Sequence, residues 1–93
     1  MHTPPRTLPE AVDRLLLSLT PDELGAFAAQ AQDDLIDHHF GLGARIRNDY
    51  GLWDPHSPLL QDCQANGDAG AGPLHPDDAS MLILRALWSR LRQ

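Results

Sequence analysis

Lysine does not occur in this chain of 93 residues, and cysteine occurs once, at Cys63. A single thiol permits no internal disulfide, so the fold has to rest on packing. Aromatic residues are sparse: two Trp, one Tyr and two Phe. The most apolar stretch, Leu15-Leu16-Leu17-Ser18-Leu19, is too short to cross a bilayer. Residues 2–7 contain no apolar run of the kind that opens an export signal, and a cytoplasmic protein is expected. No segment alternates with the period of a strand, which argues against a sheet.

What is present is a lopsided set of charges. All seven cations are arginine, and eleven of the thirteen acids are aspartate. Residues 10–37 hold seven acids against Arg14 alone, a net of −6. Residues 61–78 hold four acids and neither Lys nor Arg, whereas residues 79–93 hold three arginines and no acid. An acidic face repels nucleic acid and anionic membrane and attracts basic protein surfaces, so no direct nucleic-acid or membrane partner is expected.

The chain is long enough for one domain, burying roughly two thirds of its unfolded surface. The expected fold is all-α: a compact single-domain bundle of about five short helices over residues 1–93, with a flexible N-terminus at 1–6 and a Gly-rich loop at 64–75. Thr7-Leu8-Pro9-Glu10 reads as a capping box. A first helix then runs to about Leu19, with Leu8, Val12, Leu15, Leu16 and Leu19 as its buried stripe. Thr20-Pro21-Asp22-Glu23 repeats the start signal. It turns Leu24, Phe27, Ala28 and Ala31 inward, and the alanines suggest close approach to a neighbour. Asp33-Asp34 begins a third helix with Leu35, Ile36, His39 and Phe40 inside. Phe40-Gly41-Leu42 and Tyr50-Gly51-Leu52 both read as helix ends with an apolar residue beyond the glycine. Ser57-Pro58 starts a short helix carrying Leu59, Leu60 and Cys63. His75-Pro76-Asp77-Asp78 opens the last helix, which is apolar over most of its circumference and therefore expected at the centre. Asp78, Arg85, Ser89 and Arg92 mark its wet side.

Few constellations carry chemistry. Asp33-Asp34-x-x-Asp37, followed by His38-His39, is superficially like the Asp-rich motif of prenyl-transfer enzymes, which are far larger and use a second copy. A hydrated acidic face is the reading preferred here, with a partner-binding patch or a weak metal site as the alternatives. Adjacent histidines and one distant cysteine do not supply zinc-ligand spacing. Gly41-Leu42-Gly43 lacks the third glycine and the strand of a nucleotide-binding loop. No serine has a nucleophile motif around it, and Cys63 has no neighbouring cation. Arg45, Arg47, Asn48 and Trp53 are of types enriched at binding hot spots. Arg47 and Asn48 are equally suited to cap the final helix or pair with Asp77 or Asp78. Trp53 and Trp88 are expected in the core. No catalytic residue, metal or cofactor is expected.

The string His39-Phe-Gly-Leu-Gly-Ala-Arg-Ile-Arg-Asn-Asp-Tyr-Gly-Leu-Trp53, together with His75-Pro-Asp-Asp-Ala-Ser80, Ala86-Leu87-Trp88 and Thr7-Leu-Pro-Glu-Ala-Val12, resembles a family of small uncharacterised bacterial and phage-associated domains. That family assigns no activity, so none is carried over. In size and charge the chain is also similar to phage-encoded CRISPR inhibitors. The resulting expectation is a non-enzymatic inhibitor or interaction protein, a monomer or weak dimer. Its Glu10, Asp13, Asp22, Glu23, Asp33, Asp34 and Asp37 occupy a basic surface on a nucleic-acid-binding protein. In the sharpest form it is an anti-CRISPR that mimics DNA toward a CRISPR effector subunit. The alternatives are a toxin-neutralising or housekeeping domain using the Arg45–Trp53 surface, and a metal-assisted hydrolase around Asp33–His39.

Overall fold

A computed structural model describes residues 4–38, 41–66 and 75–92. Within them the chain forms five α-helices and one 3-10 segment, and no strand. In order these are α1 (Leu8–Ser18), α2 (Pro21–Ala29), the 3-10 segment (Gln32–His38), α3 (Leu42–Asp49), α4 (Pro58–Asn66) and α5 (Pro76–Leu91).

Helix α5 is the axis. It packs on α1, α2, α3, α4 and the 3-10 segment, and its Ala79, Ile83, Leu84 and Leu87 are fully buried. The rest of the core comes from the apolar faces turned toward it: Ala11, Val12 and Leu15 of α1, Leu19 just beyond it, Phe27 of α2, Leu35, Ile46 of α3, Leu52, and Leu59, Leu60 and Cys63 of α4. The four wet-side residues of α5 are exposed as the periodicity required. Burial pushes the Cys63 thiol up to about 12, which fits a core filler and not a nucleophile.

Helix boundaries follow from caps. The Thr20 hydroxyl accepts from the Glu23 backbone N–H (3.1 Å), and the Glu23 carboxylate accepts from the Thr20 N–H (3.0 Å), a complete reciprocal box with Pro21 at the first turn. The box at Thr7 differs from expectation. Thr7 accepts from Glu10, but the Glu10 carboxylate reaches one residue further back, to the Arg6 N–H (2.9 Å). The free N–H of Leu8 is taken instead by Asp62 of α4 (2.6 Å), so a carboxylate from another helix closes the start of α1. Gly51, at φ +70°, ends α3 in the left-handed region, and the Leu52 N–H returns to the Arg47 carbonyl with the Leu52 side chain buried.

Several expectations are corrected. Gly41 does not sit in a left-handed turn; at φ −98° it opens α3, and Leu42 is that helix's first residue. Residues 64–66 belong to α4, and His75 is the N-cap of α5, its Nδ1 accepting from the Asp77 N–H; of the supposed loop, 67–74 lie outside the described residues. Pro5 is fully buried, so the segment before α1 packs on the bundle. Ala31 lies beyond the end of α2 and is exposed, as are Ala26 and Ala29, so α2's alanines do not mark a tight helix contact. Trp53 is 57% exposed and not in the core. Trp88 is half-buried. The inward placements of His39 and Phe40 fall outside the described residues, as does the Ile36 side chain.

Candidate functional site

The seven acids singled out on α1, α2 and the 3-10 segment are all exposed, but they are not equivalent. Glu10 and Glu23 are engaged as caps. Asp13 pairs with Arg90 near the end of α5 (3.5 Å). Asp22 sits in the first turn of α2, and the other three follow that helix's end, a length of about 13 Å away. Asp33, Asp34 and Asp37 therefore form the compact part of the set.

Their arrangement is that of a 3-10 helix. With about three residues per turn, Asp34 stands over Asp37, and Asp33 lies about a third of a turn aside. The third face carries Leu35, buried against the core, and the half-buried His38. Asp33 borders a shallow depression with Gln32, Met81 and Arg85, so one cation of α5 faces it. Among the described residues Asp22, Asp33, Asp34 and Asp37 make no ion pair.

The arginine-rich string on α3 is divided by the fold. Arg47 is buried at 6% exposure. Its Nη1 donates to the Ser80 hydroxyl (3.0 Å), Ser80 donates on to the Asp77 carbonyl (2.9 Å), and its Nε lies 3.5 Å from the Asp77 carboxylate. That is a structural tie between α3 and the start of α5, so Arg47 leaves the candidate contact set. Gly43 makes room for it: a Cβ there would lie 2.9 Å from the His38 carbonyl oxygen and 3.3 Å from the Arg47 guanidinium. Asn48 and Trp53 are together, the indole N–H donating to the Asn48 side-chain Oδ1 (3.0 Å), with His75 edge-on to the Trp53 ring at 6.4 Å. Arg45 turns away, toward α2.

Arg45 borders a cleft of about 460 Å³ that periodicity alone did not reveal. Helix α2 rests on α5 and makes little direct contact with α3, and the gap between them is the cleft. Leu19, Phe27 and Leu42 line it with Ala26 and Gly41, whose small size keeps it open. Glu23 and Arg45 stand at its charged side; the carboxyl of Glu23 is held below its ordinary value, chiefly by the Thr20 backbone N–H and in smaller part by Arg45. His38 and Gln30 also line it, hydrogen-bonded to each other through Nε2 and Oε1, and the His38 ring packs tilted on Phe27 at 5.1 Å. The signal in the sequence is a row on α2 (Glu23, Phe27, Gln30) whose polar members face no expected partner.

The comparison with protein families is decisive for kinship. The family model described as Domain of unknown function (DUF6794) matches residues 4–91. The chain belongs to this family. No curated protein and no solved structure matches it. The DUF6794 match spans every element described above, including both halves of the string from 39 to 53. Among the described residues of this domain, no three of His, Cys, Asp and Glu gather as a metal-binding group, and no helix is long and apolar enough to cross a membrane. Asp33, Asp34, Asp37 and His38 do not converge as a metal site, and His39 lies outside the described residues.

Proposed function

We propose that this domain is a non-enzymatic interaction protein that presents Asp33, Asp34 and Asp37, with Asp22 as an outlying contact, to a basic surface of another protein. One observation carries the reading: these four carboxylates are exposed and without an ion pair among the described residues, in a chain of net charge −6, while Glu10, Asp13 and Glu23 are engaged within the domain. Unpaired carboxylates gathered on one short 3-10 turn present concentrated negative charge to a basic surface. The surface of a nucleic-acid-binding protein is the matching chemistry, because it is built to receive phosphates. A CRISPR effector subunit is the sharpest form of that partner and rests on size and net charge alone.

The test is competition with DNA for a purified effector or other nucleic-acid-binding protein. The wild type is expected to compete, with affinity falling steeply as salt rises. The variant Asp33→Lys, Asp34→Lys, Asp37→Lys is expected to lose binding while keeping its helical circular dichroism. Binding that survives both the triple reversal and high salt removes the proposal.

A second docking face has one specific observation behind it. Trp53 is exposed yet fixed by the Asn48 hydrogen bond and the His75 edge contact, the rigid-anchor geometry that favours a binding hot spot. In this reading, toxin-neutralising or housekeeping, Asn48 and Trp53 act without Arg47. Trp53→Ala abolishes partner binding here and leaves it intact if the acidic turn is the contact.

A further inference from the structure

We infer that the cleft between α2 and α3 is a binding site for a small amphipathic carboxylate, a molecule with an apolar body of about one aromatic ring and a single anionic head. The inference stands apart from the acidic turn, and either can fail alone.

The volume, about 460 Å³, falls within the range of roughly 300–1,000 Å³ typical of small-molecule sites. Leu19 and Phe27, both buried in the core, form its floor, while half-buried Leu42 and exposed Ala26 leave apolar surface at the opening that an apolar body placed there removes from water. One flank is bounded by the hydrogen-bonded His38 and Gln30, which link the 3-10 segment to the end of α2. A bounded cleft suits a compact molecule better than a peptide running through.

The sign of the head group follows from what the two charged residues are doing. The Glu23 carboxylate is turned to the Thr20 N–H at the start of α2. Arg45 is exposed, and among the described residues it makes no ion pair with Glu23 or any other acid. A guanidinium at the edge of an apolar cleft is free to donate two parallel hydrogen bonds to the two oxygens of a carboxylate. A cationic ligand meets that charge head-on, and the one carboxylate in reach is already engaged.

Three probes share one body and differ in the head: 3-phenylpropionate, 3-phenylpropanol and 3-phenylpropylamine. Each is titrated into the full chain while backbone amide resonances are followed by NMR. Saturable shifts at Leu19, Phe27 and Leu42 are expected for the propionate, with a Kd of about a millimolar, as befits so small a probe. The alcohol should bind at least about fivefold more weakly and the amine weaker still. Arg45→Gln should erase the advantage of the carboxylate over the alcohol while the amide resonances of α1 and α5 stay in place, which separates loss of the counter-charge from loss of the fold. Glu23→Gln keeps the cap and removes a like charge, so propionate binding should tighten. No saturation by any probe, equal or better binding of the amine, or an unchanged preference in Arg45→Gln overturns the inference.

Discussion

Helices α2 and α3 are nearly equal in length, nine and eight residues, yet they are secured in opposite ways. Helix α3 is secured from within: Ile46 and Arg47 are buried, Gly43 lies against the His38 carbonyl, and Leu52 beyond its end plugs the core. Helix α2 buries one side chain, Phe27, and is held by its ends. Its start is closed by its own Thr20 and Glu23. Its far end is closed from α5, where the Trp88 indole donates to the Gln30 carbonyl (2.9 Å) and Arg92, stacked on Trp88 at 4.6 Å, donates to the Ala28 carbonyl (3.0 Å). Polar groups spent on the interior of α3 fix the bundle. Those beside α2 remain on the surface, which is why both the candidate acidic turn and the cleft lie on that side.

The contrast breaks most visibly at Arg47. Arg47→Met removes the donor to Ser80 and leaves Asp77 without its buried partner. Because Asp77 is itself 42% exposed and can rehydrate, the expected loss is about 2–3 kcal/mol, less than for a fully buried pair. Urea denaturation measures it. A loss below about 1 kcal/mol means the α3–α5 tie is not what fixes the bundle. Ser80→Ala should cost less alone, and the two losses should fail to add.

Gly43→Ala probes the same junction from the other side. An added Cβ would meet backbone, the His38 carbonyl oxygen at 2.9 Å, so the 3-10 segment must move. Overpacking of this kind costs about 1–3 kcal/mol, and the better helix propensity of alanine returns about 1 kcal/mol. A net loss near 1 kcal/mol is expected, accompanied by altered chemical shifts in residues 32–38. A stabilised variant with unmoved shifts contradicts the close approach.

These positions also show what could be read in advance. The caps and the apolar period of α1 and α5 are local properties, and the helices, their order and the central place of α5 follow from them. The acids were visible as composition, but their sorting into caps, an Asp13–Arg90 pair and an unpaired turn depends on which helices come together. The tightening of Gln32–His38 to three residues per turn was hidden because Asp, Leu and Ile suit either winding. Trp53 looked like core because tryptophan usually is; its place outside depends on the turn after Gly51. The cleft was invisible for a related reason: it is a gap between elements, made by α2 resting on α5 and not on α3.

Loosening α2 should be milder and local. Trp88→Phe keeps most of the packing and deletes one hydrogen bond to the Gln30 carbonyl, an expected loss of about 1 kcal/mol. Arg92→Ala removes a second carbonyl partner at an exposed site and should cost less. Hydrogen exchange distinguishes this from damage to the bundle. Protection should fall in residues 24–30 and persist in α3 and the middle of α5. Uniform loss of protection in both helices indicates that α2 and α3 open as one unit and dissolves the distinction drawn between them.

The smallest effect belongs to the start of α2 and is one of pH. The Glu23 carboxyl is held below its ordinary value of 4.5, first by the Thr20 backbone N–H, then by the Thr20 hydroxyl, with Arg45 adding a little. A carboxyl depressed in the folded state contributes stability above its unfolded value, and that contribution is lost as pH falls through the folded one. Glu23→Gln keeps an oxygen acceptor for the Thr20 N–H but has no proton to bind. Between neutral pH and 4.5 the stability difference between wild type and variant should stay constant; below 4.5 it should shift against the wild type. Because the two proteins differ only at this carboxyl, the change in that difference reports on this one cap. Parallel acid profiles would mean that the oxygen alone, and not its charge, closes the helix.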